Sequence, residues 1–228
     1  VRGMVRERYR QQLAELQAAT VAMGRDAAQR LADALALLRR PDEASVRRLV
    51  EGDDVIDRQY LEIERRCLDL FALQQPVAGD LRLIAASFKI STDIERVADL
   101  ALNLAQYAQD LHVQLGSLPD PEEFFELGHH AHRMLEDALR AYDLGDADAA
   151  LLVIHADAEA DRLFWALTHG LISALMRTCR LAVDLPEDTA NGTVGMILAI
   201  RDLERAADHA VNVAARTLYL VRGQSDYI

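Results

Sequence analysis

The stretch DIERVADLALN at residues 93–103 returns as DLERAADHAVN at 202–212, an offset of 109. LADAL at 31–35 is answered by LEDAL at 135–139, an offset of 104. That second offset also carries Pro41 onto Gly145, Asp42 onto Asp146, Asp53 onto Asp157 and Asp57 onto Asp161. A chain that repeats its apolar and polar positions together at a near-constant interval is expected to fold as two copies of one unit. The five additional residues of the longer offset fall naturally into DLPEDTANGTVG, 184–195, a stretch rich in turn formers.

Within each copy the apolar residues recur every three and four positions, and no alternating pattern competes, so the chain reads as all-α. Few prolines and glycines interrupt a sequence rich in Ala, Leu, Arg, Glu and Asp, the composition of helices. Six helices are expected. The first covers residues 4–39 and stops at Pro41, and the second runs from its N-cap Asp42 to Gln74. After QQPVAGD (74–80) a third spans Asp80 to Leu111. GSLPDP (116–121) is the clearest linker. Beyond it a fourth helix runs from Pro121 to Leu144 and ends at Gly145, followed by a fifth over 146–183 and a sixth over 192–222. The expectation is two tandem three-helix bundles, residues 1–115 and 121–222, each large enough to hold a core.

A net charge of -12, with Lys89 the only lysine, argues against a nucleic-acid partner. The pairs Arg39-Arg40, Arg47-Arg48 and Arg65-Arg66 are scattered among acids and read as solvated surface. Cys67 and Cys179 lie in helical patterns without metal-like spacing and read as buried thiols of a reducing compartment. No apolar run approaches the ~18–20 residues of a membrane span and no secretory pattern opens the sequence, so a soluble intracellular protein is expected.

The repeated polar positions carry the chemistry. Residues four apart on a helix differ by only ~40° and lie ~6 Å apart along the axis. Glu95, Asp99 and Asn103 therefore line one side of the third helix, and Glu204, Asp208 and Asn212 one side of the sixth. On the same wheel Ile84, Phe88 and Leu102 fall close to Glu95, so these carboxylates border the apolar stripe. Asp93 falls nearly opposite Glu95 and reads as a solvent-exposed partner of Arg96, which is also within reach of Asp99. The second and fifth helices carry acid pairs at the same spacing, Asp53 with Asp57 and Asp157 with Asp161. Antiparallel packing would set the pairs of each copy facing one another. Four clustered carboxylates repel unless arginine, protonation or a multivalent cation neutralises them, and hard cations favour such oxygen clusters. Ordinary solvated acidic faces are the alternative.

A di-iron oxidase bundle would carry two Glu-x-x-His pairs, and only Glu126 with His129 fits. His129, His130 and His132 have no counterparts in the first copy and read as a surface cluster, while His155 and His209 flank the acidic faces. No nucleophile arrangement or phosphate-cradling glycine loop appears, and the glycines read as isolated.

QQPVAGDLRLIAASFKISTDIERVADLALN (74–103), with Pro76, Asp80 and Arg82, resembles the signature of the PhoU family, bacterial regulators of phosphate uptake and phosphate-starvation signalling. The family's acid-x-x-x-Asp motif is matched by Glu95/Asp99 and Glu204/Asp208, and the resemblance spans nearly the whole chain. The QQPVAGDLR element has no match in the second copy. The resemblance implies a cytoplasmic, non-enzymatic adaptor that couples a phosphate ABC transporter, through its ATP-binding subunit, to a sensor histidine kinase held in its repressing mode. Self-association as a homodimer is compatible with it. It also implies metal ions, iron or another divalent or trivalent cation, on the acidic faces: Asp53, Asp57, Glu95 and Asp99 on one, Asp157, Asp161, Glu204 and Asp208 on the other. Asn103 and Asn212 would support these ligands. A metal-dependent bundle enzyme and a metal-free interaction module are the competing readings.

Overall fold

A computed structural model describes residues 2–116, 118, 120–181 and 187–223. Among them lie eight helices: α1 (Arg2–Arg39), α2 (Glu43–Glu51), α3 (Asp53–Gln74), α4 (Ala78–Gln106), α5 (Ala108–Leu115), α6 (Pro121–Leu144), α7 (Ala147–Leu181) and α8 (Glu187–Arg222). The all-α expectation holds, and the count differs from six because two helices of the first repeat are broken. The expected second helix breaks at Gly52 and the third at Tyr107. The last helix begins at Glu187, ahead of the expected 192, so much of the turn-rich stretch is helical; residues 182–186, of which 184–186 belong to that stretch, and the side chain of Cys179 lie outside the described residues.

The break at Gly52 has a local cause. Arg30 on α1 reaches between the two helices, donating from Nη1 to Asp53 Oδ1 (2.8 Å) and from Nη2 to Leu49 O (3.2 Å). A Cβ at Gly52 would come within 3.2 Å of that Nη2. The equivalent positions of the second repeat are Met134 and Ala156, and there α7 runs through unbroken.

Capping follows the sequence closely. Asp42 accepts from Ser45 N at 2.9 Å and starts α2. Asp120 accepts from Glu122 N (3.0 Å) ahead of Pro121, the first residue of α6. α6 ends on Gly145 in the left-handed region (φ 62°), with Asp146 N bonded to Ala141 O (2.8 Å) and Gly145 N to Tyr142 O (3.3 Å). Asp146 then accepts from Asp148 N and Ala149 N, both at 3.0 Å, and opens α7.

α1, α3 and α4 pack on one another, as do α6, α7 and α8, and the two groups meet along α4 against α8 and α1 against α6. The contact is reciprocal. Gly24 on α1 lies under Leu139 of α6, and Gly128 on α6 lies under Leu35 of α1. Gly24 maps onto Gly128, and Leu35 onto Leu139, by the offset of 104. The two repeats therefore face each other as a two-fold dimer would, with the same patch used twice. Both helices of the other seam are rich in buried alanine (Ala98, Ala101 and Ala105 on α4; Ala206, Ala207, Ala210 and Ala214 on α8). Beside this seam the fully buried Tyr142 hydroxyl pairs with Ser87 Oγ at 2.7 Å, tying α6 to α4.

Candidate functional site

The two faces outlined by the repeated acids lie on the outer edges of these bundles, one on α3 and α4 and the other on α7 and α8. In the first, Glu95 and Asp99 are partly buried on α4 and feel the charges of Asp53 and Asp57 on α3. Burial, followed by repulsion from Asp99, pushes the Glu95 carboxyl above its usual range, with Arg96 opposing. Asp99 is raised by burial and by Asp53 and Asp57, again against Arg96. In the second face, burial and then Asp161 and Asp208 raise Asp157. Glu204 is raised by burial and then by Asp208, Asp161 and Asp157. Burial raises Asp208, with His209 opposing and Asp161 adding to the shift. The structure thus brings each set of four acids to one edge, as antiparallel packing requires.

The faces differ in their counter-charges. On the first, Arg30 pairs with Asp53 at 2.8 Å, and its own side chain is only 11% exposed. Arg96 reaches Glu95 Oε2 at 3.5 Å and Asp99 Oδ2 at 3.3 Å. On the second, Arg205 occupies the position equivalent to Arg96 and lowers the acids only through space. Among the described residues none of Asp157, Asp161, Glu204 and Asp208 forms an ion pair with arginine. The donors are hard oxygens suited to a divalent or trivalent cation. As they stand, no three His, Cys, Asp or Glu side chains among the described residues converge closely enough to hold one.

Asp93 corrects the sequence reading. It is not the solvent-exposed partner of Arg96 but is buried at the inter-repeat seam, 6% exposed. Its carboxylate accepts from His209 Nδ1 (3.0 Å), Asn212 Nδ2 (3.1 Å) and Arg216 Nε (3.0 Å), all on α8. Burial pushes its carboxyl up, but the bonds from His209 and Arg216 outweigh this and hold it below the usual range. A single helical wheel treats the side opposite Glu95 as wet; the second repeat covers that side. Asn103, the equivalent of Asn212, in turn approaches Asp202, the equivalent of Asp93, and opposes the upward push of burial on its carboxyl. Both asparagines therefore lie toward the seam between repeats, Asn212 with its amide bonded across it. His209 does the same, turning away from the acidic edge.

The remaining histidines do not form one cluster. His130 Nε2 bonds to Ala156 O (2.8 Å), His132 Nδ1 lies 3.5 Å from Glu136, and His129 is exposed beside Arg39 and Arg133. Cys67 is fully buried, as expected, with its thiol pushed up to about 12 by burial. Sequence reasoning missed Arg30, which has no counterpart in the second repeat, and Arg216, whose place four residues after Asn212 was the available signal.

The family model for the PhoU domain matches the chain twice, over residues 20–108 and 124–217, the segments that form α1–α4 and α6–α8. A Pseudomonas aeruginosa protein named phosphate-specific transport system accessory protein PhoU homolog is 31% identical over 96% of this chain and 87% of its own length. A Clostridium acetobutylicum protein of the same name is 29% identical over 97% of both chains. The crystal structure of PhoU from Pseudomonas aeruginosa superposes with a TM-score of 0.85 at 31% identity, covering 95% of this chain and all of that one. That of the phosphate transport system regulatory protein PhoU from Streptococcus pneumoniae gives a TM-score of 0.81 at 26% identity, covering 95% and 98%. With two domains matched across most of its length, and the fold matched throughout, this chain belongs to the PhoU family.

Proposed function

We propose that the chain is a non-enzymatic regulator accessory to a phosphate transport system, acting on the cytoplasmic side of the membrane. It couples the transporter's ATP-binding subunit to a sensor histidine kinase and keeps phosphate-starvation genes repressed while phosphate is plentiful. The observation that carries this reading is the match along nearly the whole chain to proteins named for that accessory role. No helix among the described residues is long and apolar enough to cross a membrane, which agrees with action through partners that do. Deleting the gene and following phosphate-regulated transcription tests it. Derepression in phosphate-rich cells is expected, and unchanged expression in both rich and starved cells overturns the reading.

The second part of the proposal is that the two acidic edges bind hard cations, iron or a comparable divalent or trivalent ion. Its support is the burial and mutual repulsion within each set of carboxylates, which raise five of the eight. Asp53, Asp57, Glu95 and Asp99 would hold one ion or cluster and Asp157, Asp161, Glu204 and Asp208 the other, after side-chain rotations that converge their oxygens. Metal analysis after purification without chelators tests this separately. Bound metal that falls in Glu95→Ala/Asp99→Ala and Glu204→Ala/Asp208→Ala is expected. A metal content near zero, or one indifferent to these changes, removes this part and leaves the regulatory reading standing.

A further inference from the structure

The outer side of α7 exposes more apolar surface than a solvated helix needs. Trp165 is 59% exposed, Ile172 43% and Met176 53%. Spaced by seven and four residues, they lie within ~40° of one another on the helix and form a stripe ~16 Å long, three turns. Edge-to-face contacts with Phe164 (centroids 5.4 Å apart) and His169 (5.8 Å) orient the indole. The stripe continues, one and two turns toward the helix start, into Asp161 and Asp157, beside Glu204 and Asp208 of α8. Apolar surface and uncompensated negative charge thus form one continuous strip.

The first repeat carries the same feature. Leu61 and Leu68, the equivalents of Trp165 and Ile172, are 57% and 56% exposed. There Arg65 and Arg66 bind Glu62, and Arg65 also binds Asp69, giving the stripe a polar border. On α7 the corresponding place is taken by His169, and the arginine of that helix nearest the indole, Arg162, is held by Glu159 at 2.7 Å, one turn before Trp165.

We propose that the α7 strip, Asp157–Asp161–Trp165–Ile172–Met176, docks a basic amphipathic helix of a partner protein. Three turns of apolar side chains on that helix cover Trp165, Ile172 and Met176, and a Lys or Arg near one end meets Asp157 and Asp161. Charge complementarity selects this occupant: a second copy of a chain with net charge -12 would bring like charges together, and an anionic lipid surface would be repelled by the same aspartates. A tryptophan at the centre of an exposed strip is the residue type that anchors such contacts. The inference rests on the adaptor reading only in that the chain works by docking, and it is tested in vitro, apart from the gene-deletion phenotype.

Trp165 is the chain's only tryptophan, so its emission reports burial of the strip directly. The full chain, treated with chelator because a cation on Asp157 and Asp161 would compete with the partner's basic side chains, is titrated with a synthetic Trp-free helical peptide of four turns, bearing a leucine stripe flanked by lysines. A peptide with glutamate in place of each lysine is the control. Expected are a saturable blue shift with the lysine peptide only, and binding at least tenfold weaker for Ile172→Asp/Met176→Asp and for Asp157→Asn/Asp161→Asn, with helical circular dichroism unchanged. Equal binding of the glutamate peptide, or undiminished binding by both variants, overturns the proposal. So does a blue shift produced by anionic vesicles in preference to the peptide, or one that appears with protein concentration alone together with dimers in sedimentation.

Discussion

Gly24 lies so close beneath Leu139 that a Cβ there would stand 2.3 Å from a leucine methyl, and Gly128 stands in the same relation to Leu35 at 2.4 Å. These contacts are where α1 crosses α6, so the glycines set how near the two repeats approach. Both leucines are buried and have little room to withdraw. Gly24→Ala is expected to destabilise by about 1–3 kcal/mol through overpacking, a fall in Tm of roughly 2–4 °C per kcal/mol for a chain of this size. Pairing it with Leu139→Ala should cost less than the sum of the two single changes. A double-mutant cycle by calorimetry that proves additive would show that the close approach carries no strain.

Asp93 joins the repeats by charge where the glycines join them by shape. Removing its carboxylate leaves Arg216 and His209, 19% and 16% exposed, facing a cavity without their acceptor. Asp93→Ala should cost about 3 kcal/mol in urea unfolding, the scale for breaking a buried ion pair from one side. Asp93→Ala/Arg216→Leu should recover more than half of that loss, because no unpaired guanidinium remains. Asp202→Ala should cost less than Asp93→Ala, since burial holds the Asp202 carboxyl above its usual range and Arg201 and Arg205 act on it only through space. A larger loss from Asp202→Ala would mean that the weight assigned to the charged partners is wrong.

Much of this was legible in the sequence, and the part that was not has one cause. Duplication, helical class, the caps at Asp42 and Gly145, and the facing of Asp53/Asp57 by Glu95/Asp99 all follow from local periodicity and the repeat offsets. Asp93, Asn103 and Asn212 were misplaced because a wheel describes one helix, whereas their environment is made by the other repeat. The glycines read as isolated, yet LADAL and LEDAL already contain Leu35 and Leu139, and the same offset links Gly24 to Gly128. Applying the offset to every glycine would have exposed the reciprocal crossing. Arg30 left no such trace, because its counterpart is Met134. The repeated phrase therefore serves two surfaces: its Glu and inner Asp belong to the acidic edge, and its leading Asp and final Asn to the seam.

The acidic edges and Asp93 at the seam respond to pH in opposite directions. Glu95, Asp99, Asp157, Glu204 and Asp208 are raised by burial and neighbouring charge, so just above the ordinary carboxylate range the folded chain binds protons that the unfolded chain has released. Stability then rises as pH falls. Asp93 is depressed, so its contribution is present above the ordinary range and is lost as pH falls through its folded value. Chelator-treated protein should therefore gain Tm between about pH 7 and pH 5 and lose it steeply below about pH 4. Glu204→Gln/Asp208→Asn should flatten the gain and leave the acid loss in place. A steady fall in Tm from pH 7 to 5, measured by calorimetry, would contradict the first half.

Counter-charge makes the two proposed cation sites unequal. On the first, an incoming ion competes with Arg30 for Asp53 and with Arg96 for Glu95 and Asp99. On the second it meets carboxylates with no arginine paired to them among the described residues. Mn2+ added to chelator-treated protein and followed by electron paramagnetic resonance should fill α7/α8 before α3/α4. The tighter class should vanish in Glu204→Gln/Asp208→Asn and survive in Glu95→Gln/Asp99→Asn. Arg30→Met, which installs the residue found at the equivalent position of the second repeat, should tighten the weaker class by roughly tenfold, about 1.4 kcal/mol. The same substitution removes the side chain that holds Asp53 and Leu49 O across the break at Gly52, so hydrogen exchange at 49–53 should quicken while α7 is unaffected. If Arg30→Met loosens that break and leaves Mn2+ affinity unchanged, the arginine is a structural clamp alone, and the two edges must owe any difference in affinity to the spacing of their carboxylates.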